Sequence, residues 1–220
     1  MASETAVPTR VKICGLSTEA TLTAALEAGA DWIGLVHFAR SPRHVTLAQA
    51  AALSVLARGR AERVLLLVDP DDALVASAVA AADPDLIQLH GRESPERVAA
   101  IRAATGRPVM KALGIATPAD LAALPAYAAV ADRILLDAKA PADATLPGGN
   151  GRRFDWELLR GTDLPHGTML SGGLDAANVA EALMRTGLRA VDVSSGVESA
   201  PGTKDPSRIA AFVAAARAAR

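Results

Sequence analysis

One cysteine, Cys14, occurs in the 220 residues, and it closes the short apolar run Arg10–Cys14 (RVKIC) just before Gly15. Side chains alternate along a strand, so Lys12 and Cys14 share one face while Val11 and Ile13 share the other. With the apolar pair turned toward helices, the lysine and the thiol face the interior of a sheet or barrel. A free thiol is only a few per cent ionised near neutral pH. Lys12 favours the thiolate, the form able to accept a proton. The plainer alternative is that Cys14 fills space as a small buried hydrophobe.

A carboxylate, Asp137, ends the apolar run Ile134–Asp137. It is a candidate general acid facing Cys14 across a shared mouth, an arrangement suited to proton transfer at two faces of one small substrate. Its alternative role is a cap or a loop hydrogen bond. Gln88 and His90 alternate onto one face of Leu86–His90, where His90 either touches substrate or is a satisfied strand-end histidine. Asp192 and Ser194 share a face at Ala190–Val193 and just beyond. Arg43, in the rigid turn Ser41-Pro42-Arg43, aims a guanidinium fork at a carboxylate or else lies solvated in a loop.

Two turns suit an anion. Gly172 and Gly173 follow the apolar run ending at Ser171, and Ser194, Ser195 and Gly196 follow Val193. Small residues there let backbone N–H groups approach a phosphate, and a helix expected from near Asp175 adds its positive end. Gly148-Gly149-Asn150-Gly151 neither follows a strand directly nor opens a helix, so it is not a nucleotide loop. It belongs to a lid, Lys139–Arg153, the longest unstructured stretch.

These residues must be held by repeated strand–helix units. The patterns predict strands at Arg10–Cys14, Trp32–His37, Arg63–Val68, Leu86–His90, Val109–Leu113, Ile134–Asp137, Thr168–Ser171 and Ala190–Val193. Helices are predicted at Thr18–Ala28, Leu47–Leu56, Asp72–Ala82, Pro95–Ala104, Ala176–Thr186 and Ser207–Arg220, with short ones at Pro118–Leu124 and Phe154–Leu159. Ser94 before Pro95, and Asp72 after Asp69-Pro70, mark two helix starts. Eight such units fit a closed (β/α)8 (TIM) barrel, with its site at the C-terminal strand ends and a phosphate cup after strands seven and eight. No Pro/Ser-rich linker divides the chain, so residues 1–220 read as one barrel domain with a polar N-terminal tail over residues 1–9.

Composition excludes several classes. Half the residues are hydrophobic and the formal charge is -1, so no basic field points to nucleic acid or a membrane surface. Apolar runs are too short and too often broken to span a bilayer. MASETAVPTR lacks the apolar core of a signal peptide. A lone cysteine forms no internal disulfide, which fits a reducing cytoplasm. Four histidines and one cysteine without paired spacing argue against a metal site. Helix faces rich in Ala, Arg and Glu lead to the expectation of a monomer.

Taken in order, Lys12-ICGL-Leu16, Gly29-ADWIG-Gly34, Ser41-PR-Arg43, Gln88-LHG-Gly91, Leu135-LDA-Ala138, Gly148-GNGRRFDW-Trp156, Leu170-SGGLDAANV-Val179 and Val191-DVSSGVESAPGTKD-Asp205 closely resemble the phosphoribosylanthranilate isomerases of tryptophan biosynthesis. The resemblance runs from about residue 10 to residue 205. It implies a single cofactor-free and metal-free (β/α)8 barrel that catalyses an Amadori rearrangement of a small phosphosugar–anthranilate. The family's base matches Cys14, its acid Asp137, and the arginine meeting the anthranilate carboxylate Arg43. Its phosphate cup matches Gly172, Gly173, Ser194, Ser195 and Gly196. Apart from the resemblance, Lys12, His90 and Asp192 are expected as supporting residues from their strand-end positions. The chain departs from the family at Leu67-Val68-Asp69, where Phe-Val-Asn is common. It also departs at Leu35-Val36-His37-Phe38, usually richer in aromatics, and at Asn150, often threonine.

Other phosphate-binding barrels fit less well. Ribulose-phosphate epimerases need metal-binding groups at several strand ends, where only His37 and His90 stand. Triosephosphate isomerases place a glutamate near Asp137, and indole-glycerol-phosphate synthases usually carry an N-terminal extension. A dual isomerase also serving histidine biosynthesis resembles a two-fold repeat with an aspartate in place of Cys14. A non-catalytic phosphate-binding barrel would have lost the acid or the base, and both are present.

Overall fold

Alternation along each strand decides which residues fill the barrel and which meet the helices. In the structure, a computed structural model describing residues 8–140, 146, 148, 149, 151 and 153–219, eight strands close in sequence order. They are β1 (Arg10–Cys14), β2 (Trp32–Val36), β3 (Glu62–Leu67), β4 (Leu86–Leu89), β5 (Val109–Ile115), β6 (Arg133–Ala138), β7 (Met169–Leu170) and β8 (Ala190–Val193). All neighbours pair in parallel, and β8 returns to β1. The predicted (β/α)8 barrel is thus present.

Val11 and Ile13 lie in the large apolar layer between strands and helices, as their side of β1 requires. Inside, Trp32, Val64, Leu86, Met110, Ala112, Leu135, Met169 and Ala190 fill the barrel, mostly toward the start of the strands. Cys14, Val36 and Leu66 form a smaller apolar cluster near the strand ends, flanked by Phe38 and Val68. Cys14, Val36 and Leu66 are buried there and Phe38 and Val68 partly so, each apolar Å² removed from water contributing roughly 25 cal/mol.

The helices are α1 (Glu19–Glu27), α2 (Leu47–Ala57), α3 (Asp72–Ala82), α4 (Pro95–Thr105), α5 (Leu124–Ala128), α6 (Val179–Thr186) and α7 (Pro206–Ala218). Ser94 caps α4 by accepting from Arg97 N–H, with Pro95 in the first turn. The cap of α3 is Asp71, whose side chain accepts from Leu74 N–H, so Asp72 is the first helical residue rather than the cap. After β5 a 3-10 turn, Pro118–Ala123, runs into α5; after β6 only the 3-10 turn Trp156–Leu159 forms.

Two expectations change. The helix predicted from Ala176 begins at Val179, because Asp175 and Asn178 satisfy the backbone locally. Asp175 Oδ1 accepts from the N–H groups of Ala177 and Asn178, while Asn178 Oδ1 accepts from Asp175 N–H. A hairpin absent from the predicted elements, β9 (Glu198–Ala200) and β10 (Thr203–Lys204), follows β8 and pairs Glu198 with Lys204. The predicted lid lies partly outside the described residues, as does residues 1–7 of the predicted tail. Among the described residues no helix is long and apolar enough to cross a membrane.

Outside the barrel wall, Lys111 and Glu93 make a buried ion pair at 2.7 Å. Glu93 also accepts from the N–H groups of Asp69 and Gly91, and Lys111 donates to Gly91 O, so this pair binds the turns after β3 and β4 together. Asp69 adopts φ 46°, and a Cβ on Gly91 would collide with it. We predict that Lys111→Met, which strands a buried carboxylate, lowers unfolding free energy by about 3–5 kcal/mol in urea titration. A loss near zero would show that the pair does not hold these turns.

Candidate active site

Barrel register brings the first group of residues together. Lys12 lies opposite Asp192 across the β1–β8 seam, and Lys12 Nζ donates to Asp192 Oδ1 at 2.8 Å. Asp192 Oδ2 accepts from Ser171 Oγ at 3.1 Å. Burial works against the Lys12 ammonium, but Asp192 and then Cys14 outweigh it and raise its pKa.

Cys14 stands opposite Gly34 on β2, where a Cβ would come within 2.9 Å of Sγ. The glycine makes the room that the thiol occupies, a requirement hidden in the sequence. Burial pushes the Cys14 thiol above its ordinary pKa; Lys12 pulls it down, Asp192 pushes it up again and Lys204 pulls it down. Lys12 favours the thiolate, in the expected direction, but the net shift of Cys14 is upward. Desolvation is the larger effect, and Asp192 opposes the lysine in part.

Asp137 belongs to β6, with β7 and β8 between it and β1. Its Oδ1 accepts from Ala138 N–H at 2.8 Å, and Oδ2 lies 3.2 Å from His90 Nε2. Gln88 Nε2 sits 3.0 Å from His90 Nδ1. With the Gln88 amide donating, Nδ1 accepts and Nε2–H is left to donate to Asp137. Gly148 packs over the pair: a Cβ there would lie 2.5 Å from His90 Nε2 and 2.7 Å from Asp137 Oδ2.

Arg43 is buried rather than solvated. Its Nε and Nη2 donate to Glu198 at 2.7 and 2.9 Å, and Nη2 also donates to Gly149 O at 3.2 Å. Lys204 Nζ donates to the same Glu198 at 2.7 Å and to Ser194 O at 2.9 Å. Burial lowers the Lys204 pKa, only partly offset by Glu198. Sequence reasoning passed over Glu198 and Lys204. Their only signal was the segment Glu198–Lys204 itself, too short and turn-rich to read as paired strands.

The glycine turns divide their duties. Gly172 (φ 91°) and Gly173 (φ 63°) use backbone conformations that favour glycine, and a Cβ on Gly172 would meet Ala138 N at 2.6 Å. Gly172, Gly173, Ser194 and Ser195 line the same cavity as Cys14, Arg43, His90, Asp137 and Asp192. Gly196 instead lies against the backbone carbonyl of Leu174, where it brings the turns after β7 and β8 into contact. Lys12 lies beneath the cavity, behind Cys14.

That cavity lies open at the C-terminal strand ends. Val36, Phe38, Leu66 and Val68 make one apolar wall; the charged groups and glycine turns make the other. Among the described residues no three His, Cys, Asp or Glu side chains converge as metal ligands.

A closed parallel barrel whose buried acid, thiol and glycine turns meet at the C-terminal mouth has the architecture of a barrel enzyme. The family model described as N-(5'phosphoribosyl)anthranilate (PRA) isomerase matches residues 11–215. N-(5'-phosphoribosyl)anthranilate isomerase of Azorhizobium caulinodans is 68% identical over 209 residues, covering 95% of this chain and 92% of that protein. Its counterpart from Rhodopseudomonas palustris strain BisA53 is 62% identical, covering 96% and 97%. The crystal structure of phosphoribosyl anthranilate isomerase from Thermotoga maritima superposes with TM-score 0.85 at 35% identity, over 94% of this chain and 98% of that one. The chain belongs to the PRA isomerase family and is an isomerase.

We predict that alkylation of Cys14 by iodoacetamide accelerates with pH along a curve centred above the ordinary thiol pKa. Lys12→Met should move the midpoint higher still, because it removes the chief cation opposing burial. A midpoint at or below that of a free thiol in the parent would contradict this electrostatic account.

Proposed function

We propose that the chain converts N-(5'-phosphoribosyl)anthranilate into 1-(2-carboxyphenylamino)-1-deoxyribulose 5-phosphate, an Amadori rearrangement serving tryptophan biosynthesis in the cytoplasm. The observation that carries the reading is that Asp137 and Cys14 enter one cavity from different strands, beside glycine turns suited to phosphate. A related phosphoribosyl anthranilate isomerase, 31% identical over 94% of this chain with TM-score 0.82, was solved with reduced 1-(o-carboxyphenylamino)-1-deoxyribulose 5-phosphate, which supports a ligand of this kind.

Asp137 in its acid form protonates the furanose ring oxygen. The bond from that oxygen to C1′ breaks as the anthranilate nitrogen lone pair forms a C=N bond, giving an iminium cation. Cys14 as thiolate then takes the C2′ proton, and the C–H electrons flow toward nitrogen to give an enolamine. Tautomerisation moves a proton from the C2′ hydroxyl to C1′, leaving the ketone. Solvent returns the proton from the Cys14 side to Asp137. The substrate nitrogen is the electron sink, so the scheme calls on no cofactor.

The burial that raises the Cys14 pKa makes its thiolate a stronger base once formed. Formation of the iminium cation beside it favours that thiolate. His90 supports Asp137, and the Lys12–Asp192 pair supports Cys14. Arg43 meets the aryl carboxylate, and the aryl ring lies on Val36, Phe38, Leu66 and Val68. Phosphate is held by Gly172, Gly173, Ser194 and Ser195, with Gly196 keeping their turns in contact.

The experiment is to generate phosphoribosylanthranilate in situ and follow loss of its anthranilate fluorescence. Fast conversion by the parent is expected, with Cys14→Ala and Asp137→Asn each lowering kcat/KM by about 10²–10⁴. A folded but inactive parent would remove the proposed reaction. Activity indifferent to Cys14→Ala would keep the reaction and remove the thiol as its base.

A further inference from the structure

Glu198 is the carboxylate on which two buried cations converge. Its Oε1 accepts from Arg43 Nε and from Lys204 Nζ, each at 2.7 Å. Its Oε2 accepts from Arg43 Nη2 at 2.9 Å and from Gly202 N–H at 3.2 Å. The three charged side chains are 4%, 7% and 1% exposed for Glu198, Arg43 and Lys204. Burial disfavours a charged carboxyl here, yet Arg43 and Lys204 outweigh it and hold Glu198 below the ordinary range.

This grip is set by the backbone. The β9–β10 register places Glu198 directly opposite Lys204, and a Cβ on Gly202 in the connecting turn would collide with Pro42 O. The hairpin therefore leans on the turn that carries Arg43. Two parallel hydrogen bonds to one carboxylate fix the plane of a guanidinium, whereas one would leave it free to swing. Among the described residues no hydrogen bond engages Nη1, which lies against Gly149, where a Cβ would come within 2.5 Å of it.

We propose that Glu198 is a positioning residue for substrate recognition, locking Arg43 so that Nη1 alone is presented to the aryl carboxylate. The proposal rests on the reading of Arg43 given above, and it changes the contact expected there. The fork itself is spent on the protein, and the substrate meets the end of an immobilised guanidinium. Lys204, held by the same carboxylate and by Ser194, anchors the clamp to the turn after β8.

The test measures inhibition by reduced 1-(o-carboxyphenylamino)-1-deoxyribulose 5-phosphate and by the same compound with phenyl in place of carboxyphenyl. The ratio of the two constants reports recognition of the carboxylate alone. Glu198→Gln is expected to cut the parent's preference by about tenfold or more, with affinity for the phenyl compound within about threefold. Equal weakening of both ligands would show that Glu198 is a structural brace and overturn the proposal.

Arg43→Met in the same series separates the two layers of the argument. If it leaves the preference intact, Arg43 does not read the carboxylate and the underlying assignment falls, taking the proposal with it. If it abolishes the preference while Glu198→Gln does not, the proposal alone falls. Glu198→Gln also leaves two buried cations short of a counter-charge, so Arg43→Lys supplies an independent arm should that variant not fold. Lysine keeps the charge but cannot be gripped as a fork. A preference lost as in Arg43→Met supports the proposal, and a parent-like preference overturns it.

Discussion

The parallel seam between β1 and β8 is the constraint on which the rest of the mouth depends. Closing a barrel sets the register of the last strand against the first, and here it puts Lys12 beside Asp192 directly below Cys14. An unpaired lysine at this depth would lose its charge, and an unpaired aspartate would gain a proton. Together they form an ionic floor that is nearly neutral seen from above. The thiol over it is governed mainly by desolvation, as its raised pKa records.

Around this floor the buried charges are arranged in chains. One runs from Ser171 through Asp192 to Lys12, and a second from Arg43 through Glu198 and Lys204 to Ser194. Ser194 Oγ donates to Cys14 O, so both chains end at β1. Buried pairs of this kind add little net stability over apolar packing, because desolvation consumes most of the attraction. Their effect is on geometry: each side chain keeps one orientation before any ligand arrives, which lowers the cost of ordering on binding. The apolar wall of Val36, Phe38, Leu66 and Val68 has no such partners and offers only surface.

Much of this was legible in the residues. Alternation separated Val11 and Ile13 from Lys12 and Cys14, and the same rule put Gln88 with His90 and Asp192 with Ser194. Glycine and serine after the last two strands marked the turns that line the cavity. What escaped has a common cause: it depends on neighbours distant in sequence. Gly34 looks like any strand glycine until Cys14 is placed beside it. Glu198 and Lys204 become partners only when a strand of three residues meets one of two. Lys12 favours the thiolate as expected, but the Asp192 charge that opposes it lies 180 residues away in sequence. Asp175 and Asn178 delay α6 as local competitors for backbone hydrogen bonds, whereas the sequence pattern marks Asp175 as the helix start and places Asn178 inside the helix.

The packing of Gly202 against Pro42 has a meaning for how this scaffold diversifies. Barrel enzymes vary by exchanging one strand-end loop while neighbouring loops stay as they were. Here the connection after β8 leans on the one after β2, and Glu198 from the former grips Arg43 from the latter. The two segments are distant in sequence but act as one module. A recombined barrel that inherits one of them without the other receives a buried charge with no counterpart, so both must be exchanged together.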